Sequence, residues 1–452
     1  MAKAAHAHDA PIEEALAHVL QFDPTSELGE LALRQCHLPL GYGGLGIPSA
    51  SAISEPAYLG SIASVWHTLL DLIPDLRDLD IASPDSDRLP SLRDARRIHT
   101  RLLAEHASLR LRYKTFSEDK SSNPPSILHG LPKSLPTLSS LSSSSPPKAQ
   151  STFSRVVHHS AWRDLYNSNA EAFSQDRNLV RLIAVAQRGA TDFHRAIPSR
   201  PDFAIDSEVM LFATQRQLGL PLSCLAGITD LPSDVDPYGD AAINSCSDHS
   251  TRHNHLTTCW ATALRRAHRR KVHQEYSLSS DCRADAAIEH FHGRNIHQVF
   301  ETKLVNPLSS DGKPYNANAI SSAFAGSVPR MQAEIHAKYD GHLGRHRKTD
   351  LIHEVFGGIS PPAYKFLFNS GCAMRSRDRH GGDPSDPESE LPRTPDKDDS
   401  VPWAARSFLS SSLQAFSISI HTKVAEQVFA FAKTHRQSHG RSHAYTSSQR
   451  GE

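Results

Sequence analysis

The sequence predicts an α+β protein that is mostly helical. Apolar residues recur at three- and four-residue spacing between residues 11 and 222, as in PIEEALAHVLQF and EVMLFATQRQLGLPL, and this spacing is typical of amphipathic helices. Two apolar stretches that bracket HGRN (292–295) are instead typical of a β-hairpin. An alanine-rich helix and a short strand, TDLIHEVFGG, follow. We therefore expect the β structure to form one small α/β unit.

Composition limits the class of protein. The 452 residues are enough for two or three domains, but an apolar content of 38 % predicts that part of the chain is linker and tail. Basic and acidic residues balance at 49 each, so net charge favours neither nucleic acid nor membrane. The six scattered cysteines form no disulfide framework, which favours a reducing compartment. With no signal peptide and no run of ~20 apolar residues, we expect an intracellular protein of nucleus or cytoplasm without a membrane partner.

The same patterns divide the chain into segments. Serine, proline and lysine dominate one internal stretch, and charged residues dominate another near the carboxyl terminus; both lack the apolar surface needed to offset ordering entropy. The predicted segments are helical at 1–116, disordered linker at 117–150, helical at 151–222, a turn-rich Cys/His patch at 223–256, an α/β unit at 257–372, disordered at 373–400, a helix at 401–436 and a disordered tail at 437–452.

The hairpin carries the chemistry that attracts most attention. If its loop centres on Gly293, Asp285 lies directly opposite Glu301 with Cβ atoms about 5 Å apart, and Lys303 lies on the same face as Glu301. Two carboxylates suit Mg²⁺, which can orient a water beside a phosphate, and the lysine can stabilise negative charge. The alternative is a surface hairpin whose charged residues are simply solvated.

The turn-rich patch raises the question of zinc. Cys224 and Cys246 are followed by further thiol and imidazole groups, but a structural zinc site needs four such ligands at suitable spacing and no CxxC pair exists. The alternative is an ordinary loop with two buried thiols. The neighbouring residues considered were His249, His253, His255 and Cys259.

A basic helix at 252–273 is a candidate nucleic-acid interface. Clustered arginine and lysine side chains can contact the phosphate backbone of DNA or RNA, although solvated charge on an amphipathic helix is an equally good interpretation. The residues are Arg252, Arg265, Arg266, Arg269, Arg270 and Lys271.

Several motifs in this order resemble non-LTR (LINE-like) retrotransposon polyproteins. The run LALRQCHLPLGYGGLGIPSASAISEPAYLGS resembles the thumb and flank that follow the polymerase core. LFATQRQLGLPLSC, DPYGDAAINSC and RHNHL resemble the approach to the family's Cys/His knuckle. RADAAI, VFETKLVNPL, AEIHAKYD and LIHEVFGG resemble its restriction-enzyme-like endonuclease domain. The resemblance covers roughly residues 30–70 and 150–370.

The resemblance implies roles for particular residues. Asp285 and Glu301 would hold Mg²⁺, and Lys338, beside Tyr339, or alternatively Lys303, would supply the lysine. Glu354 matches a further acid of the family pattern. The implied reaction is hydrolysis of a DNA phosphodiester.

The departures from the family pattern are also informative. The second knuckle cysteine is missing near Gly227 and Ile228, and the knuckle histidine is replaced by Ala241, so zinc is not expected. Ala284 replaces the proline before the first acid, and His336 lies near the place of the first helical lysine. No YxDD motif is present, so we expect no polymerase palm and no copying of nucleic acid. The rival interpretations are a non-catalytic nucleic-acid-binding or interaction protein and a non-functional relic.

Overall fold

A computed structural model of the protein describes residues 2–76, 81–118, 131–143, 149–171, 175–198, 201–226, 228, 236–245, 249–293, 295–315, 328–380 and 407–448. It is 65 % helix and 9 % strand, with one four-stranded mixed sheet, so the predicted mostly helical α+β class is confirmed. The chain forms two compact units, Met1–Phe173 and Ser174–Glu452. No helix among the described residues is long and apolar enough to cross a membrane.

The first unit is helical. Its core contains Leu59 and Trp66 of the third helix, Leu102 of the fourth and Phe153 of the sixth, all buried. Asp9 accepts hydrogen bonds from the backbone N–H groups of residues 50 and 51 and so caps the third helix at its amino end. The helices are α1 (Ala2–Leu20), α2 (Glu27–Cys36), α3 (Ala50–Leu72), α4 (Pro90–Glu118), α5 (Leu138–Ser143) and α6 (Ala149–Glu171).

Part of the predicted linker belongs to this core. Leu135 and Leu138 are 8 % and 6 % exposed and pack in the same cluster as Leu59. His99 and His106 of α4 each donate from Nε2 to a proline carbonyl of this segment at 2.8 Å. The prediction of disorder at 117–150 is therefore wrong for residues 131–143, because two leucines within a Ser/Pro-rich composition suffice to anchor the segment. Residues 119–130 and 144–148 lie outside the described residues.

The second unit combines helices with the sheet. The strand order is β1-β2-β3-β4; the first two pairings are antiparallel and β3–β4 is parallel. A parallel pair needs a crossover, and α11 lies in that connection. The elements are α7 (Gln175–Val185), α8 (Ser207–Leu218), α9 (Asp240–Ser245), α10 (His249–His268), β1 (Val272–Ser277), β2 (Arg283–Ile288), β3 (Gln298–Val305), α11 (Val328–Tyr339), β4 (Arg347–Glu354), α12 (Pro361–His380) and α13 (Phe408–Ser448).

Aromatic side chains join this sheet to its helices. Phe300 of β3 packs against Phe366 of α12 with ring centres 5.1 Å apart, and Trp260 of α10 stacks on Phe416 of α13 at 4.6 Å. Phe300 and Trp260 are fully buried. Trp260 also donates from Nε1 to Nε2 of His353 in β4 at 3.0 Å, so helices both before and after the sheet in sequence pack against it.

Some element limits differ from the prediction. Helix α12 runs to His380 and α13 to Ser448, so residues 373–380 and 437–448, expected to be disordered, are helical. Residues 381–406 and 449–452 lie outside the described residues. The segment 151–222 spans both compact units, because α6 packs with α3 in the first unit. The predicted basic helix at 252–273 overlaps the first two residues of β1, which begins at Val272.

Candidate functional site

The hairpin of β2 and β3 has the predicted register. Ala286 pairs with Phe300, and Ile288 with Gln298; the loop includes Gly293 at a φ of +118°, which is accessible to glycine. The ladder ends at Ala286 and Phe300, so Asp285 and Glu301 are the next residues on their strands. The Asp285 Oδ2 accepts a 2.7 Å hydrogen bond from the Thr302 backbone N–H. The Asp285 carboxylate thus accepts a hydrogen bond from β3 at the position where the backbone hydrogen bonds between β2 and β3 end.

Glu301 is at the centre of an ion cluster. Its side chain is fully buried, and Lys338 Nζ lies 2.8 Å from both carboxylate oxygens. Lys303 Nζ lies 2.9 Å from Oε1, and the Tyr339 hydroxyl donates to Oε2 at 2.6 Å. Burial, then the hydrogen bond and negative charge of Glu301, raise the pKa of Tyr339 far above its ordinary value. The hydroxyl therefore stays protonated and donates.

Asp285 is held from two sides. His253 Nε2 of α10 lies 3.2 Å from Oδ1, while the Thr302 N–H holds Oδ2. Burial raises the pKa of Asp285, but the His253 hydrogen bond and charge, the Thr302 N–H and the Lys303 charge outweigh it. The net effect is a pKa below the ordinary value, so Asp285 is ionised at neutral pH.

Both candidate lysines reach the same carboxylate. Lys303 comes from β3 and Lys338 from the last turn of α11, and their side chains are 32 % and 38 % exposed. The sequence left open which of the two lysines serves the site, and in the structure both contact Glu301. Both lysine side chains are thus partly exposed to solvent, whereas the carboxylate that they share is not.

Strand β4 adds a second ion pair beside the cluster. Asp350 is the register partner of Glu301 and forms an ion pair with Lys348, both being largely buried. Lys348 Nζ is 5.6 Å from the centre of the Tyr339 ring. Asp350, Lys348 and the contact between His253 and Asp285 carry no local sequence signal, because each depends on elements distant in sequence.

Glu354 does not join the site. It is four residues beyond Asp350 on the same strand, ~13 Å away along an extended chain. Burial raises its pKa to about 8, and its Oε2 has no hydrogen-bond partner among the described residues. The residue that matches the further acid of the family pattern is therefore a buried core residue outside the site.

The predicted basic helix is shorter than expected. Helix α10 ends at His268, and Arg269 leaves it with a φ of +50°, so Arg269, Arg270 and Lys271 form the turn before β1. Arg265, Arg269 and Lys271 are exposed. From His253 to His268 the helix advances ~22 Å, so these exposed charges lie at the end of α10 away from Asp285.

Several of the basic residues have contacts within the protein, among them Arg265, whose guanidinium donates to the Val272 carbonyl at 3.4 Å. Arg252 is 7 % exposed and donates to the Ile243 carbonyl at 3.3 Å, so it cannot present its guanidinium to a phosphate. Arg266 contacts Ser411 and the Phe408 ring of α13, and Arg270 donates to the His290 carbonyl. The prediction that Arg252 belongs to a nucleic-acid interface is wrong, because its side chain lies on the inward face of α10.

The Cys/His patch is dispersed. Cys224 precedes α9, His253 contacts Asp285, and Ala241 is buried in the core; Cys246 lies outside the described residues. Within the parts of the chain that are described, no group of three or more His, Cys, Asp or Glu side chains is arranged around a common point for a metal. The pair Asp285 and Glu301 contributes only two carboxylates.

Comparisons with known proteins give no family assignment. No protein-family model matches the sequence, and no curated protein matches it significantly.

Proposed function

We propose that the chain derives from the carboxyl-terminal part of a non-LTR retrotransposon polyprotein and that its α/β unit hydrolyses a DNA phosphodiester with Mg²⁺. One observation carries the proposal. Asp285 of β2 and Glu301 of β3 are the residues next to the last hydrogen-bonded pair between these two strands, and Lys303 and Lys338 both contact Glu301. The resemblance requires acids on neighbouring strands and a lysine in the following helix. These residues lie on β2, β3 and α11.

Asp285 has free positions for a hard divalent cation, whereas Glu301 has one only when an ammonium group is displaced from it. Mg²⁺ in nucleases is held through one or two carboxylates and keeps several waters, and an ionised carboxylate offers about four lone-pair positions. Asp285 uses two of them, for His253 and Thr302. Bound Mg²⁺ would supply an activated water and polarise the scissile phosphate.

The protein's own residues prepare the site in this proposal. The His253 and Thr302 contacts fix the orientation of Asp285, as outer contacts of a metal ligand do. Lys303 and Lys338 neutralise Glu301. An ammonium displaced from Glu301 would face solvent, where it can stabilise charge on a phosphate oxygen.

A second function is favoured by the same cluster. Glu301 already accepts from Lys338, Lys303 and Tyr339. In this second interpretation the network has a structural role, which is to hold α11 against the sheet, and no catalytic one. The chain would then be a non-catalytic nucleic-acid-binding protein. Its exposed basic residues Arg265, Arg269 and Lys271 would contact phosphates.

Plasmid nicking distinguishes the two functions. Purified full-length protein is incubated with supercoiled plasmid and Mg²⁺ or Mn²⁺, beside Asp285→Asn, Glu301→Gln and the control Asp281→Asn, whose exposed carboxylate lies outside the cluster. Nicking by the wild type and Asp281→Asn, lost in the other two, supports a nuclease. No nicking, or equal nicking by Asp285→Asn, rejects the nuclease and leaves the non-catalytic interpretations.

A further inference from the structure

Three histidine rings lie in a row at the end of the sheet away from Asp285. His290 and His297 belong to the β2–β3 loop, and His346 directly precedes β4. The His290 and His297 ring centres are 5.3 Å apart, and those of His297 and His346 are 4.8 Å apart in a stacked arrangement. We name these three residues the histidine chain.

Each ring of the histidine chain accepts a hydrogen bond from the backbone. His290 Nδ1 accepts from the Asn295 N–H at 3.0 Å, and His297 Nδ1 accepts from the His290 N–H at 3.1 Å. His346 Nδ1 accepts from the His297 N–H at 3.1 Å. A backbone amide can only donate, so all three Nδ1 atoms must lack a proton. Each ring is therefore neutral, with its proton on Nε2.

We propose that the histidine chain is a proton-sensitive closure of the β2–β3 loop and of its attachment to β4. Protonation of a ring places a hydrogen on its Nδ1 and removes the backbone hydrogen bond that this atom accepts, so that protonation of all three rings removes all three bonds. It also puts positive charges about 5 Å apart on adjacent rings, where they repel. Two of the residues whose bonds break, His290 and Asn295, have φ angles of +54° and +60°. Asn and His adopt this left-handed conformation more readily than most residues other than glycine, and the hydrogen bonds of the histidine chain help to hold it here.

Charged and titratable groups of the neighbouring strands and loops face the histidine chain. Glu289 at the end of β2 is bonded to His273 of β1 at 2.5 Å. Tyr276 of β1 lies 5.5 Å from His297. On the cationic side, Arg270 donates to the His290 carbonyl, and Arg345 lies next to His346. Arg294 lies outside the described residues.

These surroundings oppose protonation. Burial, followed by the charges of His346, His290 and Arg345, lowers the pKa of His297, with Glu289 acting in the opposite direction. Burial and Arg345 lower the pKa of His346. A lowered folded-state pKa means that the neutral form stabilises the fold. That stability is fully present above the ordinary histidine pKa of about 6.5 and is lost as the pH falls below it.

The loop joins the two strands that carry Asp285 and Glu301. Its opening would loosen the register that brings these carboxylates together, and this consequence for activity rests on the proposed function. The closure itself does not depend on any catalysis, so it can be tested on the protein alone.

Two measurements on the full chain test the closure. The first records the imidazole nitrogens of ¹⁵N-histidine-labelled protein by NMR, with resonances assigned by single His→Asn variants. We expect the Nε2–H form of all three rings at pH 7.5, and titration of His297 and His346 below the ordinary value. An Nδ1–H form of any ring at that pH overturns the proposal.

The second measurement is hydrogen exchange of residues 289–298 at pH 7.5 and 5.5, corrected for the intrinsic pH dependence. The triple variant His290→Asn, His297→Asn, His346→Asn serves as the control, because Asn Oδ1 accepts at nearly the position of Nδ1 but does not titrate. Helix α10 serves as the folded reference. We expect protection of the wild-type loop to fall at least ~10-fold at pH 5.5, about the effect of one lost hydrogen bond, and that of the variant to stay constant. Equal loss in both proteins, or none in the wild type, overturns the proposal; if the variant does not fold, the NMR result decides.

Discussion

Lys338 donates to both carboxylate oxygens of Glu301 at 2.8 Å, and this bidentate ion pair joins the last turn of α11 to the middle of β3. The side chain of Lys338 is 38 % exposed, whereas that of Glu301 is fully buried. Solvent screening therefore limits what the pair contributes to stability, while loss of its partners would leave a buried charge unpaired. Each partner can be tested separately.

Replacement of the two lysines separates anchoring from catalysis. Methionine preserves the apolar stem, so Lys338→Met and Lys303→Met should each lower the free energy of unfolding by only about 1 kcal/mol, since the other lysine still neutralises Glu301. If Lys338 stabilises charge on the phosphate, Lys338→Met should reduce the nicking rate at least ~10²-fold. Urea denaturation and plasmid nicking measure the two effects. A reduction in rate confined to Lys303→Met would assign the role to Lys303.

The Tyr339 hydroxyl should stabilise the fold through Glu301. Its 2.6 Å hydrogen bond to the carboxylate is buried, and hydrogen bonds to charged groups contribute about 1.5–3 kcal/mol. Tyr339→Phe should therefore lower the free energy of unfolding by roughly 2 kcal/mol. In a double-mutant cycle with Glu301→Gln, the two effects should be less than additive by about 1 kcal/mol, because they share one bond. Additive effects in urea denaturation would show that the bond contributes little.

His253 should act through Asp285 rather than on substrate. Because it holds Oδ1 at 3.2 Å, His253→Ala should weaken Mn²⁺ binding about 10- to 100-fold, the range known for outer contacts of metal ligands. His255→Ala is the matched control, since His255 is an exposed histidine of the same helix. Isothermal titration with Mn²⁺ measures both variants. Equal affinities for wild type and His253→Ala would remove His253 from the site.

The hairpin was predictable because its signals are local. Two apolar stretches on either side of HGRN indicate both strands, and a loop centred on Gly293 gives the register that places Asp285 opposite Glu301. The contacts of His253 and Asp350 were not predictable, since they depend on how α10 and β4 approach the hairpin. The inward direction of Arg252 escaped for a different reason: a charged residue was assumed to be exposed. In the structure its guanidinium binds a backbone carbonyl of the segment before it.

A buried arginine network should be critical for the second unit. Arg177 Nε lies 2.7 Å from Asp240 Oδ2, and Arg216 lies 3.9 Å from the other oxygen, with all three side chains at most 5 % exposed. Removing one member of a buried ion network costs about 3–5 kcal/mol. Asp240→Asn should therefore destabilise the unit by that amount in urea denaturation. Glu208→Gln, at an exposed position of α8, should change stability by less than about 0.5 kcal/mol.

Glu354 should make the second unit less stable as the pH rises. Burial raises its pKa to about 8, above the ordinary value of about 4.3. At a pH between these two pKa values, the Glu354 carboxyl is protonated in the folded state and ionised in the unfolded state. Stability from this group is complete below the ordinary pKa and decreases by up to ~1.4 kcal/mol per pH unit until the folded pKa is reached.

Glu354→Gln cannot ionise and should therefore abolish this slope. The variant should unfold at a higher urea concentration than the wild type at pH 8, with the difference shrinking towards pH 5, where the wild-type carboxyl is neutral in the folded state. The histidine chain changes stability in the opposite direction below about pH 6.5, within the same pH range. Because both proteins contain the histidine chain, the difference between wild type and Glu354→Gln isolates the effect of Glu354. A wild type and Glu354→Gln with parallel pH profiles between pH 5 and 8 would mean that Glu354 is ionised in the fold and has a partner there.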